Sequence, residues 1–369
     1  MRSLRLLLLS TPVGPLGSGL GGGVELTVVN LAQVLARLSH QVAIAAPQGS
    51  VLPDAIAALD ISLIQMAGNW QPIAQSQPRS APIAVGSALA NAWQYAHQAQ
   101  SQYDLLVNFA YDWLPFYLTP FFKVPVAHFV SMGSLNDALD AVIAQVVVQF
   151  PGTIGAYTRS QTQTFANLDP GQWQILGSAI DISHYQYCDQ PSDFLLWLGR
   201  ISPEKGLEDA VAAAISANQS LQIFGKVENS DYWRQIQSAI AQAPSHLSID
   251  YGGFLTTEQL QKSLGQAKAL LVTSHWAEAF GIVAIEALAC GVPVIAYRCG
   301  GLAEIVRSGE TGWLVEPDDA LGLVDAIAQI HQIDRRHCRQ QAETTYSLAA
   351  WGDRFEQWFD SILFGKITA

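Results

Sequence analysis

At 369 residues the chain is long enough for two domains, and with half its residues hydrophobic each can bury a full core. Against 31 acidic residues stand 19 basic ones, and the formal net charge of −12 argues against nucleic acid and against stable binding to anionic membranes, both of which draw on basic patches. None of Cys188, Cys290, Cys299 and Cys338 forms a C-x-x-C pair, so isolated thiols in a reducing, cytoplasmic compartment are expected. Arg2 and Arg5 precede the apolar run Leu6 to Leu9, but Pro12 and Gly14 follow too soon for a signal peptide.

Leu4 to Ser10 reads as a buried parallel strand, and a helical pattern from Val24 to Leu38 and a strand from Gln41 to Ala46 complete a strand–helix–strand unit. Its loop holds a literal G-x-G-x-x-G at Gly17, Gly19 and Gly22. A dinucleotide-binding oxidoreductase using NAD fits poorly. Pro12 and Pro15 interrupt the tight turn, and Pro47 and Gln48 stand where an acidic residue should hold the ribose. A flexible glycine loop whose backbone approaches a phosphate is the better reading. Gln65 to Gln102, rich in Gln, Ala and Ser and carrying Pro72, Pro78 and Pro82, predicts a long loop and then a helix from about Val85.

Asp104 to Asn108 is a further strand, followed by an aromatic segment with Phe109, Tyr111, Trp113, Phe116, Tyr117, Phe121 and Phe122. Val124 to His128 ends a strand. That places His128 where a carboxyl edge opens onto a ligand crevice. Thr153 to Tyr157 and Gln174 to Leu176 close the first domain, and 177–193 is a polar linker.

The second domain opens with the strand Phe194 to Leu198. Arg200 and Lys205 then leave its end in one loop, before a helix from Leu207. A planar fork and a point charge side by side suit a diphosphate. Strands at Leu221 to Phe224, Leu247 to Tyr251 and Leu270 to Ser274 follow. Trp276 to Tyr297 reads as loop, short helix and strand. A helix starting at Gly281 or Ile282 points unpaired N–H groups at the loop carrying Glu278. Glu286 lies just over one turn in. Carboxylates accept well from paired hydroxyls, so the stretch reads as a polyol–phosphate site. Leu348 to Leu363 is an amphipathic helix.

The spacing E-A-F-G-x-x-x-x-E-A-x-A-x-G-x-P-V from Glu278, with Gly300 to Val306, Gly309 to Val315 and the R-x-x-P-x-K-G pattern of Arg200 to Gly206, resembles the retaining GT-B glycosyltransferases of family four. That resemblance implies an α/β GT-B fold, two Rossmann-like domains facing a central cleft. It implies an acceptor domain at 1–180, a nucleotide-sugar domain at 181–345, and a helix at 346–369 packing back on the first. By the same resemblance Arg200 and Lys205 clamp the diphosphate, Glu278 holds sugar hydroxyls, Glu286 holds the ribose and His128 lies near the sugar. Gly253, Phe254 and Leu255 hold the base through backbone groups. Phe280, Gly281, Ile282 and Val283 form the helix start, and Gly22 and Gly23 border the donor phosphate. The relatives carry a second glycine near Lys226, whose role stays open. No two aspartates are two residues apart, so a D-x-D metal site is not indicated, and the cations and helix start are expected to stabilise the leaving group without metal or other cofactor.

The runs STPVGPLGSG, YDW-LP-YLTPFFK and PVAH-SMGSL resemble a group within that family, the cyanobacterial UDP-glucose:tetrahydrobiopterin α-glucosyltransferases. This implies UDP-glucose as donor and a small soluble pterin as acceptor. The aromatic segment can stack a flat heterocycle, with Trp113 the first choice. Asp112 or Asp137 can accept its paired N–H donors. A glycan or lipid-linked acceptor is the alternative.

Overall fold

An unbroken run of leucines is most stable in a sheet covered on both faces, and the strand β1 (Arg5–Leu9) lies in the middle of one. The computed structural model describes residues 2–72, 86–166, 168–255 and 257–365. It divides into two units, Met1–Ser178 with Leu348–Ala369, and Ala179–Ser347.

In unit 1, β1 is joined by β2 (Gln41–Pro47), β3 (Ile61–Met66), β4 (Leu105–Asn108), β5 (Val126–Val130), β6 (Ile154–Ala156) and β7 (Gln174–Ile175). These strands pair in parallel in the order β3-β2-β1-β4-β5-β6-β7. The order reverses between β1 and β4, and a crevice opens at the carboxyl ends of strands at such a switch point. The connections carry α1 (Gly23–Arg37), α2 (Ala88–Ala99), α3 (Trp113–Leu118), α4 (Asp137–Gln149) and α5 (Arg159–Thr162).

Unit 2 repeats the plan with β8 (Phe194–Leu198), β9 (Ser220–Phe224), β10 (Ile249–Tyr251), β11 (Ala269–Val272), β12 (Val294–Tyr297) and β13 (Gly312–Val315), all parallel, in the order β10-β9-β8-β11-β12-β13. Its switch point lies between β8 and β11. The helices are α6 (Leu207–Ser216), α7 (Ser230–Ala241), α8 (Thr257–Gln266), α9 (Ile282–Ala289), α10 (Leu302–Ile305), α11 (Ala320–Gln329) and α12 (Arg335–Thr345).

The last helix, α13 (Leu348–Phe364), belongs to unit 1. Its apolar stripe of Trp351, Phe355, Trp358 and Phe359 is fully buried, with the Phe355 ring 5.7 Å from that of Phe129 on β5. Polar atoms on the same face find backbone partners. Trp351 Nε1 donates to Gly177 O at 3.2 Å, Arg354 Nε to Leu176 O at 2.8 Å and Trp358 Nε1 to Gly152 O at 2.7 Å.

Two differences from the sequence reading bear on the site. β3 was not expected, since its half-exposed sequence ISLIQM alternates weakly; among the described residues it is a sheet edge paired with β2. β5 ends at Val130, two residues beyond His128, so His128 is a mid-strand residue. α2 begins at Ala88, capped by Ser87, whose Oγ accepts from Ala90 N at 3.2 Å. The expected helix start at Val85, with Pro78 and Pro82, lies outside the described residues.

Candidate functional site

In unit 2 the loops leaving β8 and β11 meet at the switch point. The turn at Pro203–Lys205 is strapped to the loop after β11, because the carbonyl of Glu204 accepts from His275 N at 3.0 Å and from Ser274 Oγ at 3.3 Å. Thr273 Oγ1 donates to Gly206 O at 2.6 Å. That strap carries Lys205 to Glu278, and the two form a direct ion pair with side chains only 18% and 20% exposed. Arg200 stands in the same loop but faces other carboxylates. Its Nη1 donates to Glu228 Oε2 at 2.7 Å, and Nη2 lies 3.4 Å from Glu204 Oε1. Each cation of the expected diphosphate clamp is therefore held by a carboxylate of the chain itself.

Glu278 is fixed from behind by the double glycine. Gly301 N donates to Glu278 O at 2.7 Å, and Gly300, at φ +57°, lies so close to the Glu278 backbone that a Cβ there would run into it. Gly281 ends the loop at φ +108° and opens α9, and a Cβ on it would come within 2.7 Å of Leu302 Cδ2. Gly281, Ile282 and Val283 are half-buried at the helix start, while the Phe280 side chain is buried with its ring 5.9 Å from that of Tyr346. Phe280 thus serves packing, and only its backbone borders the helix start.

Glu286 is buried on α9. Its Oε1 accepts from Tyr185 OH at 2.7 Å, and burial pushes its carboxyl up to about 7, offset in part by that bond. Gly253 O accepts from Gly225 N at 2.9 Å, so this carbonyl already has a partner. Phe254 is 75% exposed and Leu255 half-buried beside it. His275 lies between two carboxylates, with Nε2 3.1 Å from Asp209 Oδ2 and Nδ1 3.4 Å from Asp318 Oδ1. Each ring nitrogen of the imidazole thus has a carboxylate beside it, and the three side chains lie within 4.8 Å of one another.

Unit 1 corrects the sequence reading in three places. The glycine loop is not an open phosphate cradle. Glu25, nearly buried on α1, fills it: Oε2 accepts from Gly17 N at 3.0 Å and Gly19 N at 3.1 Å, and Oε1 from Gly21 N at 2.5 Å and Ser18 Oγ at 3.2 Å. A carboxylate collecting successive backbone N–H groups is what a phosphate would do in a nest. Gly17 N and Gly19 N are taken by these bonds and Gly22 N donates to Gly19 O at 3.3 Å, so none of the three G-x-G-x-x-G glycines keeps a free donor for a dinucleotide. Gly22 is the N-cap of α1 and Gly23 its first residue.

His128 is fully buried and does not reach the sheet's carboxyl edge. Thr119 Oγ1 lies 2.8 Å from Nε2, Asn108 Nδ2 lies 3.2 Å from Nδ1, and the ring stacks on Phe116 with centroids 4.3 Å apart. Burial pulls its pKa down to about 3, so it is neutral. Both nitrogens are engaged in the core, and the side chain has no exposed surface. Ser131, Met132 and Gly133 occupy the end of β5 that the sequence reading gave to His128.

Asp112 is the N-cap of α3, with Oδ1 accepting from Leu114 N at 3.0 Å. Burial raises its pKa, while bonds from Leu114 N and the Gln71 side chain lower it. Its role is therefore structural first, and it presents little free surface to an acceptor. Trp113 is 37% exposed beside it, and Tyr117 and Phe121 continue an exposed row with centroids 5.2 and 5.9 Å apart. Asp137 lies exposed in the first turn of α4. Sequence reasoning missed Tyr185, Glu228 and Glu25 as partners of the site. Only Glu25 had a local signal, standing two residues after the last glycine of its loop.

Residues 188–346 match the family model described as glycosyl transferases group 1. The matched stretch lies wholly within unit 2. It contains Arg200, Lys205, Glu278 and Glu286. Among curated proteins the chain is similar to glycogen synthase of Mycobacterium tuberculosis, 28% identical over 60% of this chain and 59% of that one. It is also similar to lipopolysaccharide 1,2-N-acetylglucosaminetransferase of Salmonella typhimurium, 31% identical over 45% and 49%. The chain thus spans less than two thirds of the length of these relatives. The whole chain has the GT-B fold. Anabaena HepE in complex with UDP superposes at TM-score 0.77 with 19% identity, covering 97% of this chain and all of that one. Sucrose-phosphate synthase from Thermosynechococcus elongatus superposes at 0.76 with 20% identity, covering 99% and all of that chain. No helix among the described residues is long and apolar enough to cross a membrane.

Proposed function

We propose that the protein is a retaining glycosyltransferase that moves glucose from UDP-glucose to tetrahydrobiopterin. The observation that carries the donor half is the Lys205–Glu278 ion pair beside the start of α9. A cation, a carboxylate and helix N–H groups are gathered at one switch point, matching in turn a diphosphate, a polyol and a developing anion. HepE, a fold neighbour, has been crystallised with UDP-glucose, which supports this choice of donor.

In the proposed reaction the diphosphate takes Lys205 and Arg200 from their carboxylates, and Glu278, released, accepts from sugar hydroxyls. The bond between the anomeric carbon and the phosphate oxygen breaks, its electron pair leaving with UDP. Lys205, Arg200 and the α9 donors stabilise that charge. A side-chain hydroxyl of the pterin attacks the same face, and its proton passes to the departing phosphate oxygen. No protein nucleophile is required. Lys205 and Arg200 supply the charge that a metal would otherwise bring.

The acceptor half rests on the resemblance of unit 1 to pterin glucosyltransferases and on the exposed ring of Trp113 at the start of α3. The test is proton NMR of the purified product. An α-glucoside of the pterin agrees with the proposal, and a β-glucoside contradicts retention. The curated relatives favour a second reading, since one is named for a lipopolysaccharide acceptor. That reading predicts glucose transfer to a sedimentable lipid fraction.

A further inference from the structure

The segment after the start of unit 2 is fastened along the carboxyl half of α9. Tyr185 OH donates to Glu286, Arg339 Nη1 bridges Tyr185 O at 2.7 Å and Ala289 O at 2.6 Å, and Cys188 N donates to Cys290 O at 3.1 Å. The Tyr187 ring covers Gly291 so closely that a Cβ there would lie 2.6 Å from Tyr187 Cε2. Cys188 and Cys290 are thus neighbours from distant parts of the sequence. With an N–H···O bond of 3.1 Å between them, bond lengths keep their Cα atoms within about 7 Å of each other. Disulfides span about 4.4–6.8 Å. Both Cβ atoms border one spot, since a Cβ placed on Gly265 would be 3.7 Å from Cys188 Cβ and 3.8 Å from Cys290 Cβ. Their present thiol partners are weak: Cys188 Sγ lies 3.5 Å from Gln190 O, and Cys290 Sγ lies 3.8 Å from Gln261 O.

We propose that Cys188 and Cys290 are a thiol-oxidation site, closing to a reversible disulfide that locks the Tyr185–Cys188 segment onto α9. The two thiols have distinct parts. Cys188 is half-exposed, and Arg335 donates to its carbonyl at 2.7 Å. As thiolate it attacks a sulfur of a small disulfide such as oxidised glutathione, expelling one glutathione thiolate. Cys290 is fully buried, and burial pushes its thiol up to about 12. It gives its proton to solvent as it attacks Cys188 Sγ of the mixed disulfide and expels the second glutathione. Two protein thiols are oxidised to one disulfide, and one glutathione disulfide is reduced to two thiols. Tyr185 is then held by a covalent strap three residues away.

The test is to incubate the native full chain with oxidised glutathione, block free thiols, and map peptides by mass spectrometry. The expected result is a Cys188–Cys290 cross-link that dithiothreitol removes. Cys188→Ser should abolish it and Cys338→Ser should leave it. Amide exchange over residues 182–190 should slow at least about tenfold in the oxidised form. Glutathione adducts at Cys188 without the cross-link, a cross-link through Cys299 or Cys338 in its place, or unchanged exchange in the cross-linked protein would each overturn the proposal. The wild-type peptide map decides the bond even if a variant fails to fold.

Discussion

Lys205 and Glu278 neutralise each other in a direct ion pair, and the proposed reaction requires both to change partner. Glu278→Gln frees the ammonium. UDP alone should then bind more tightly by roughly tenfold, about 1.4 kcal/mol, while glucose transfer falls at least about a hundredfold. Calorimetric titration and a turnover assay read the two effects apart, and equal UDP affinity would mean that the pair does not compete with phosphate. Two other buried groups give stability a pH dependence. Glu286 rises from 4.5 to about 7 on folding, so the folded chain holds a proton that the unfolded chain loses between those values. Its contribution is full below about 4.5 and is lost as pH rises through 7, up to about 3 kcal/mol. His128 falls from 6.5 to about 3, so its contribution is full above 6.5 and is lost as pH drops toward 3, up to about 5 kcal/mol. Urea titrations across pH should show both slopes, and Glu286→Gln and His128→Gln should each remove its own.

The elements explain which residues were legible. Glu278, Gly281 and Glu286 are read from one short stretch because a loop and helix start put neighbours in sequence into one site. Tyr185 meets Glu286 across 101 residues and Glu228 meets Arg200 across 28, distances over which no local pattern speaks. His128 was misplaced because a strand end carries no firm sequence mark. β5 runs on through Phe129 and Val130, both apolar, and the position two residues earlier turns into the core. The glycine loop was misread for a different reason. Its glycines announce N–H groups that can converge, but not that α1 supplies the anion. Glu25→Ala removes bonds from three backbone N–H groups, partly exposed to water, and should lower stability by about 2 kcal/mol in urea titration. An unchanged midpoint would show that the nest is held by the backbone alone.

On the scale of the whole molecule, the two sheets repeat one plan and the chain returns at its end to the first. Trp351, Phe355, Trp358 and Phe359 are each about 1.5–3 kcal/mol of burial. Together they rival the roughly 5–15 kcal/mol that holds a domain folded. A chain stopped after Ser347 should lose the cooperative unfolding transition of unit 1 in calorimetry; retention of that transition would mean α13 is an ornament on a self-sufficient sheet. The two parallel sheets and their helices were legible because both begin with strongly apolar runs beside glycine-bearing loops. The acceptor was not legible from physics, since exposed aromatics such as Trp113 suit many flat or sugar surfaces alike. It rests on resemblance, and it is where the proposal is most directly tested. Purified protein should be incubated with UDP-glucose and tetrahydrobiopterin in EDTA, with UDP release and pterin mass followed together. The account predicts stoichiometric UDP release and a hexose increment on the pterin. UDP release without a pterin glucoside would contradict the acceptor, and neither UDP binding nor release would contradict the donor site built on Lys205 and Glu278.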